Sequence, residues 1–251
     1  MYVHKSNSQV GFGNVLCFLE DYLSKMGMDG VVHENIKDFE RGRSFDFNLK
    51  LADFDGKSLP VDLYCNPSKF ASLSRILPEV MKPSTELLAM YKDPDAFIGV
   101  HIRCGSAMPD CSGLSASHGG DWFATEKTFE KINEIIEQNN CKIFLISDSR
   151  IIKSLFKKRW GDRIVVWDTD VTLSCDPKSC GGVEQSSKSL MDTYLEWYAL
   201  SQCKTVVTTS GPGYNPETNK GAGLSTFGYT AAAYGRRPLL IVNCDGAVLK
   251  M

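Results

Sequence analysis

Two short stretches of this 251-residue chain place cationic and hydroxyl side chains where a charged ligand can be held. In IGVHIRCGS, His101 and Arg103 stand at the end of an apolar run, and a buried strand does not end in two cationic donors without partners for them. Arginine offers a planar fork of donors, stays charged at any working pH and can grip a diphosphate through two hydrogen bonds at once. A strand-end ion pair is the competing reading for Arg103, and a satisfied core histidine for His101. In GAGLSTFGYTAAAYG, Ser225, Thr226 and Phe227 open an Ala-rich helix. The first N–H groups of a helix have no intrahelical partner and sit at the positive end of its dipole, so they favour an anion. Ser225 also has the residue type of an ordinary N-cap, which is compatible with that role. Arg103 and this helix end together predict a pyrophosphate clamp.

Four acids extend the set. Asp148 follows KIFLIS, and Asp192 stands in the first turn of a helix expected to begin near Ser189. Either suits a ribose hydroxyl or a guanine edge, and Asp192 equally complements a helix dipole. Asp110 and Asp121 lie in or beside the glycine- and serine-rich stretch from Cys104 to Gly120, long enough for a functional lid, and are candidate general bases with His118 as a third. A plain solvated loop is the competing reading there. Asp168 and Asp170 have the Asp-x-Asp form that holds a divalent ion, but Asp53 to Asp55 and Asp93 to Asp95 match it too, so a metal-dependent site is the alternative and no metal is expected. The chain has no P-loop run, and Gly211-Pro-Gly213 lacks the third glycine of a dinucleotide fingerprint.

The elements that must position these residues read most clearly after residue 93. Apolar runs AFIGVHI, KIFLIS, RIVVW, TVVTT and LLIVN alternate with helical periodicity over 126–138, 150–160, 189–202 and 224–234. That alternation implies an α/β domain over 93–251, a parallel sheet covered on both faces, with ligands at the carboxyl ends of its strands. Residues 1–92 read as a smaller N-terminal α/β lobe. There a Gly-containing turn at 11–14 leads into a helix with Leu16, Leu19, Leu23 and Met26 on one face. The run FDFNLKLADFDGKSLPVDLY suggests one or two strands about an Asp-Gly turn, and RILPEVMKPSTELLAMYKDPD two helical pieces, the second started by Pro83.

Composition narrows the classes. A formal charge of −2 supplies no field to recruit nucleic acid or an anionic membrane, so an anion must be held by a few placed groups. No apolar run approaches the roughly 20 residues that span a bilayer, and Met1 to Gly11 has no signal-peptide core. The nine cysteines include no Cys-x-x-Cys pair and read as buried reduced thiols, although Cys175 and Cys180 flank a turn that allows a bridge. These features predict a cytoplasmic protein.

Three motifs in order, VHIRCGS, FLISDS, and SLMDTYLEWYALSQCKTVVTTS leading to STFGYTAAA, resemble the GDP-fucose fucosyltransferase superfamily across about residues 96–235. GFGN at 11–14 is similar to the glycine-rich turn that approaches the donor in that family. The resemblance implies two facing Rossmann-like lobes (GT-B-like) and an inverting transfer of fucose from GDP-fucose to a glycan or protein hydroxyl, with no metal or other cofactor. Arg103 would bind the β-phosphate. Gly11, Gly13, Asn14, His101, Asp148, Asp192, Ser225, Thr226 and Phe227 would complete the donor site. Cys104 departs from the second basic residue of many members, and Val15 from the usual Gln. A non-catalytic module that binds the nucleotide or carbohydrate is the reading from outside the enzymes.

Overall fold

The computed structural model describes residues 12–26, 31–33, 45–47, 50–52, 67–104, 124–169, 187–212, 214 and 223–251. In chain order the N-terminal part holds α1 (Phe12–Met26), β1 (Val31–His33), β2 (Phe45–Phe47), β3 (Lys50–Ala52), α2 (Phe70–Val80), β4 (Met81–Pro83) and α3 (Thr85–Met90). The remainder follows as β5 (Ile98–Ile102), α4 (Glu126–Gln138), β6 (Ile143–Ser147), α5 (Arg150–Trp160), β7 (Ile164–Val165), α6 (Ser187–Gln202), β8 (Thr205–Thr209), α7 (Thr226–Gly235), β9 (Leu239–Val242) and β10 (Val248–Lys250).

Strands β5 to β10 form one sheet in the order β10-β9-β8-β5-β6-β7, parallel except for β10. The chain winds outward from β5 through β6 to β7, then returns to place β8 on the other side of β5. The reversal of direction falls between β5 and β8, so the connections after these neighbours diverge and leave a crevice at their carboxyl ends.

Side-chain alternation divides the core. Ile98, Val100 and Ile102 of β5, with Ile143 and Leu145 of β6, join Ile132, Ile136, Ile152 and Phe156 on the face covered by α4 and α5. Phe144 and Ile146 point the other way, into a cluster with Trp197, Leu200, Tyr229 and Ala231 from α6 and α7. His101 must share that second face with them, because strand residues alternate in direction. A strand buried on both faces reads as a continuous apolar run, which is why β5 and β6 were legible.

The N-terminal elements pack on that same second face. Leu16, Leu23, Leu73, Leu77 and Met81 belong to one apolar cluster with α6 and α7. Phe45 meets Trp197 edge-to-face at 5.4 Å and Tyr194 at 6.1 Å. Its strand β2 pairs antiparallel with β4, while β1 pairs parallel with β3.

The structure changes several local expectations. Pro83 ends β4 instead of opening a helix, and Ser84 caps α3, its side chain accepting from Leu87 N at 3.1 Å. RIVVW contributes only the two residues of β7, and β10 is an antiparallel addition with no forecast. Cys17 is disulfide-bonded, so the all-reduced reading fails for that thiol. Since structural disulfides persist in oxidising compartments, the cytoplasmic expectation loses its cysteine support. Cys104, Cys141, Cys203 and Cys244 are free. No described helix is long and apolar enough to cross a membrane.

Candidate functional site

Arg103 follows β5 directly, at the reversal point, and is tied there from two sides. Its backbone N–H donates to Thr209 Oγ1 at the end of β8, at 3.0 Å. Its guanidinium Nη1 lies 3.1 Å from Asp148 Oδ2, beyond the end of β6. The other carboxylate oxygen, Oδ1, accepts from Cys104 N–H at 2.7 Å. Asp148 therefore fixes both the backbone and the side chain of the strand end beside it. Arg103 nevertheless keeps 16% of its side chain exposed, against 5% for Asp148. The fork is anchored to Asp148 through Nη1 and carries further donors beyond that contact.

Of the three helices that follow β5, β6 and β8 at this carboxyl edge, two are capped at their start by a side chain. Thr125 caps α4 in a reciprocal pair with Thr128, and Ser149 caps α5 by accepting from Ile152 N at 3.1 Å. The third differs. Ser225 precedes α7 but makes no side-chain cap; its Oγ instead lies 3.3 Å from His101 Nδ1. Ser225 thus holds the N-cap position without the side-chain bond of an ordinary cap, and the first-turn N–H groups of α7 receive no bond from its hydroxyl. A helix start left this way retains its positive end for an anion.

His101 is the reason Ser225 turns. The same Nδ1 lies 3.2 Å from Thr208 Oγ1, and the ring lies 4.9 Å from Phe227 at 33°. Burial pushes its pKa down to about 3, with Asp148 opposing and Arg103 and Lys153 adding to the fall. A neutral imidazole between two hydroxyls is a fastening and brings no charge of its own to the crevice. Gly228 makes this closeness possible: a Cβ there would lie 2.4 Å from Thr208 Oγ1.

The start of α1 reaches the same place from the other end of the chain. A Cβ on Gly13 would lie 2.6 Å from both the carbonyl carbon and the oxygen of Thr226. Only a residue without Cβ lets the two helix starts approach so closely. Asn14 follows within the first turn of α1. Gly11, Asp110, Asp121, His118 and Asp170 lie outside the described residues. Asp168 is exposed, and Asp192 is half-buried on α6.

Two residues that pattern reading passed over complete the wall. Lys153 on α5 donates to Glu196 Oε1 on α6 at 2.9 Å and to Thr169 Oγ1 at 3.3 Å, while Thr169 Oγ1 also donates to Glu196 Oε1. These helices cover opposite faces of the sheet, and they meet here beyond the two-residue strand β7. Burial raises the pKa of Glu196, with Lys153 working against it. Its Oε2 is buried without a hydrogen-bond partner. The available signal was a lysine on the apolar side of α5 and a glutamate among the aromatics of α6; only distance in space pairs them.

No family profile and no curated protein matches this sequence. Solved structures do match in shape. Fucosyltransferase NodZ from Bradyrhizobium aligns with 100% of this chain and 98% of its own, at a TM-score of 0.54 and 15% identity. NodZ α-1,6-fucosyltransferase co-crystallised with GDP aligns over 100% and 97% at 0.54 and 14%, and the GDP-fucose-soaked form over 100% and 98% at 0.52 and 14%. The chain shares the NodZ fucosyltransferase fold. In this chain Arg103 stands at the strand reversal of the six-stranded sheet.

Proposed function

We propose that the protein is a glycosyltransferase that moves fucose from GDP-fucose to a hydroxyl of a glycan or protein, with inversion and without a metal ion. The observation that supports this best is the convergence on one crevice edge of an anchored, part-exposed Arg103 and the uncapped start of α7, against which the start of α1 packs. The solved NodZ relatives with GDP and GDP-fucose supply the ligand class.

In this reading the acceptor oxygen attacks the anomeric carbon on the side opposite to GDP. The bond between that carbon and the β-phosphate oxygen breaks, and its electron pair leaves with GDP. Arg103 and the N–H groups at Thr226 and Phe227 take up the charge that develops on the diphosphate. Because they are positioned before the reaction, little reorganisation is needed as it proceeds. Asp148 acts on Arg103, holding its fork in register. His101 acts on Ser225, keeping that hydroxyl away from the helix start. Asp192 faces the nucleoside, Asp110 or Asp121 receives the acceptor proton, and residues 1–92 form the acceptor side of a two-lobed GT-B-like arrangement.

The test is a thermal-shift titration with GDP, GDP-fucose and UDP-glucose in chelator, followed by GDP release with candidate acceptors. At 100 times the dissociation constant, a ligand of the native state adds about 2.7 kcal/mol of stability. Stabilisation by the GDP compounds alone, lost in Arg103→Ala, supports the reading. A response that needs a divalent ion or favours UDP-glucose overturns it.

A further inference from the structure

The sheet face opposite α6 and α7 has a groove between its two covering helices. This groove, of about 670 Å³, is lined by Phe129 and Asn133 of α4 and by Ile152, Leu155, Phe156 and Arg159 of α5. Phe129 and Phe156 lie 6.5 Å apart, and Trp160 Nε1 donates to Asn133 Oδ1 at 2.9 Å. Leu155 stands at its edge 54% exposed, an apolar side chain with water where packing is available.

The two rims have opposite charge. On α4, Glu126, Glu130 and Glu137 lie about 60–100° round the helix from Phe129, on the side of Asn133. All three are exposed, and among the described residues none makes an ion pair. Helix α5 has no acid. Its Lys157 pairs with Asp162 and its Lys153 with Glu196, whereas Lys158 and Arg159 are exposed and make no ion pair among the described residues. Arg159 lies over the Trp160 ring at 5.2 Å, keeping its charge beside the groove.

We propose that a second copy of this chain covers the groove, so that the protein forms a two-fold dimer through α4 and α5. The charge pattern favours this occupant. An acidic peptide would be served by cations on both rims and a basic one by acids on both. A groove with one rim of each sign complements itself: a two-fold axis along it sets the basic rim of each copy on the acidic rim of the other, twice. Each α5 then lies over the opposing α4, the two grooves face each other, and Leu155 is buried at the seam between the copies. Lys158 and Arg159 face Glu130 and Glu137 of the second copy. The interface lies on the sheet face away from α6 and α7, and the inference is independent of the proposed transfer chemistry.

Sedimentation equilibrium across a wide concentration range, at low and high ionic strength, tests it. The wild type should sediment at twice the chain mass at low salt and dissociate more readily as salt screens the rims. Leu155→Glu should be monomeric. Lys158→Glu with Arg159→Glu, and separately Glu130→Lys with Glu137→Lys, should each weaken the dimer by at least about tenfold, the equivalent of 1.4 kcal/mol. Mixing these two charge-reversed proteins should restore a dimer, because each now complements the other. Far-UV circular dichroism checks that each variant folds, and the charge reversals lie on exposed positions in case Leu155→Glu does not. A wild type that stays monomeric throughout overturns the proposal and leaves the groove to a different protein. A dimer indifferent to both reversals, or two variants that fail to pair, also overturns it.

Discussion

Two ion pairs hold the carboxyl edge of the sheet, and they differ in how much charge they leave available. Arg103 and Asp148 join neighbouring strand ends, with the arginine 16% exposed. Lys153 and Glu196 join helices from opposite faces, with side chains 9% and 1% exposed. In the first pair the carboxylate is buried and the cation stays partly exposed. In the second, both charges are withdrawn from water and are used on each other and on Thr169. An ion pair buried that deeply adds little net stability over an apolar replacement, yet removing one member strands the other. The comparison therefore separates a pair that leaves its cation partly exposed at the strand ends from a pair that withdraws both charges between two helices.

The largest effect should come from breaking the buried pair. Glu196→Ala should destabilise the fold by about 3–5 kcal/mol, whereas Lys153→Met with Glu196→Leu should cost much less because no charge is left alone. Denaturant unfolding of the single and double variants measures this, and equal losses would end the distinction. Arg103→Ala should do the reverse. It should lower turnover by about 100-fold, the scale of losing one placed donor, and cost less stability than Glu196→Ala because Asp148 keeps the Cys104 N–H as a partner. Near-normal GDP release from that variant would remove Arg103 from the clamp.

Gly13→Ala sharpens the comparison from the α1 side. The added methyl meets Thr226 backbone at 2.6 Å, so the helix starts must separate, at a cost of about 1–3 kcal/mol for overpacking. GDP affinity should fall with it, as isothermal titration would show. A further effect concerns pH, and it is small near neutral pH. His101 titrates near 6.5 when unfolded and, because burial opposes its charge, at about 3 in the fold. Below 6.5 the unfolded chain binds a proton that the native one refuses, so its contribution to stability is present above 6.5 and declines as pH falls toward 3. His101→Gln should flatten that part of the melting-temperature profile. An unchanged slope would mean that native His101 accepts the proton.

The carboxyl-edge residues were legible to different degrees for physical reasons. Arg103 and Asp148 stood out because each ends a five-residue apolar strand, where a charge contradicts its surroundings. Ser225 was legible as a helix start, but not as a hydroxyl turned away from it, since its choice of partner depends on His101, 124 positions earlier. Pro83 was misplaced because a proline suits both the first turn of a helix and the end of an edge strand, and the pairing of β4 with β2 decides between them.

Local pattern alone determined the alternating strands and helices after residue 93, because hydrophobic period and capping chemistry act within a few residues. It also marked the two stretches, around Arg103 and Ser225, whose residue types suit an anion as well as a structural partner. Tertiary structure alone decided that Gly13 meets Thr226, that Lys153 meets Glu196 across the sheet, and that Ser225 bonds to His101. Each of these depends on atoms brought together from distant parts of the chain, where distance in sequence carries no information about distance in space.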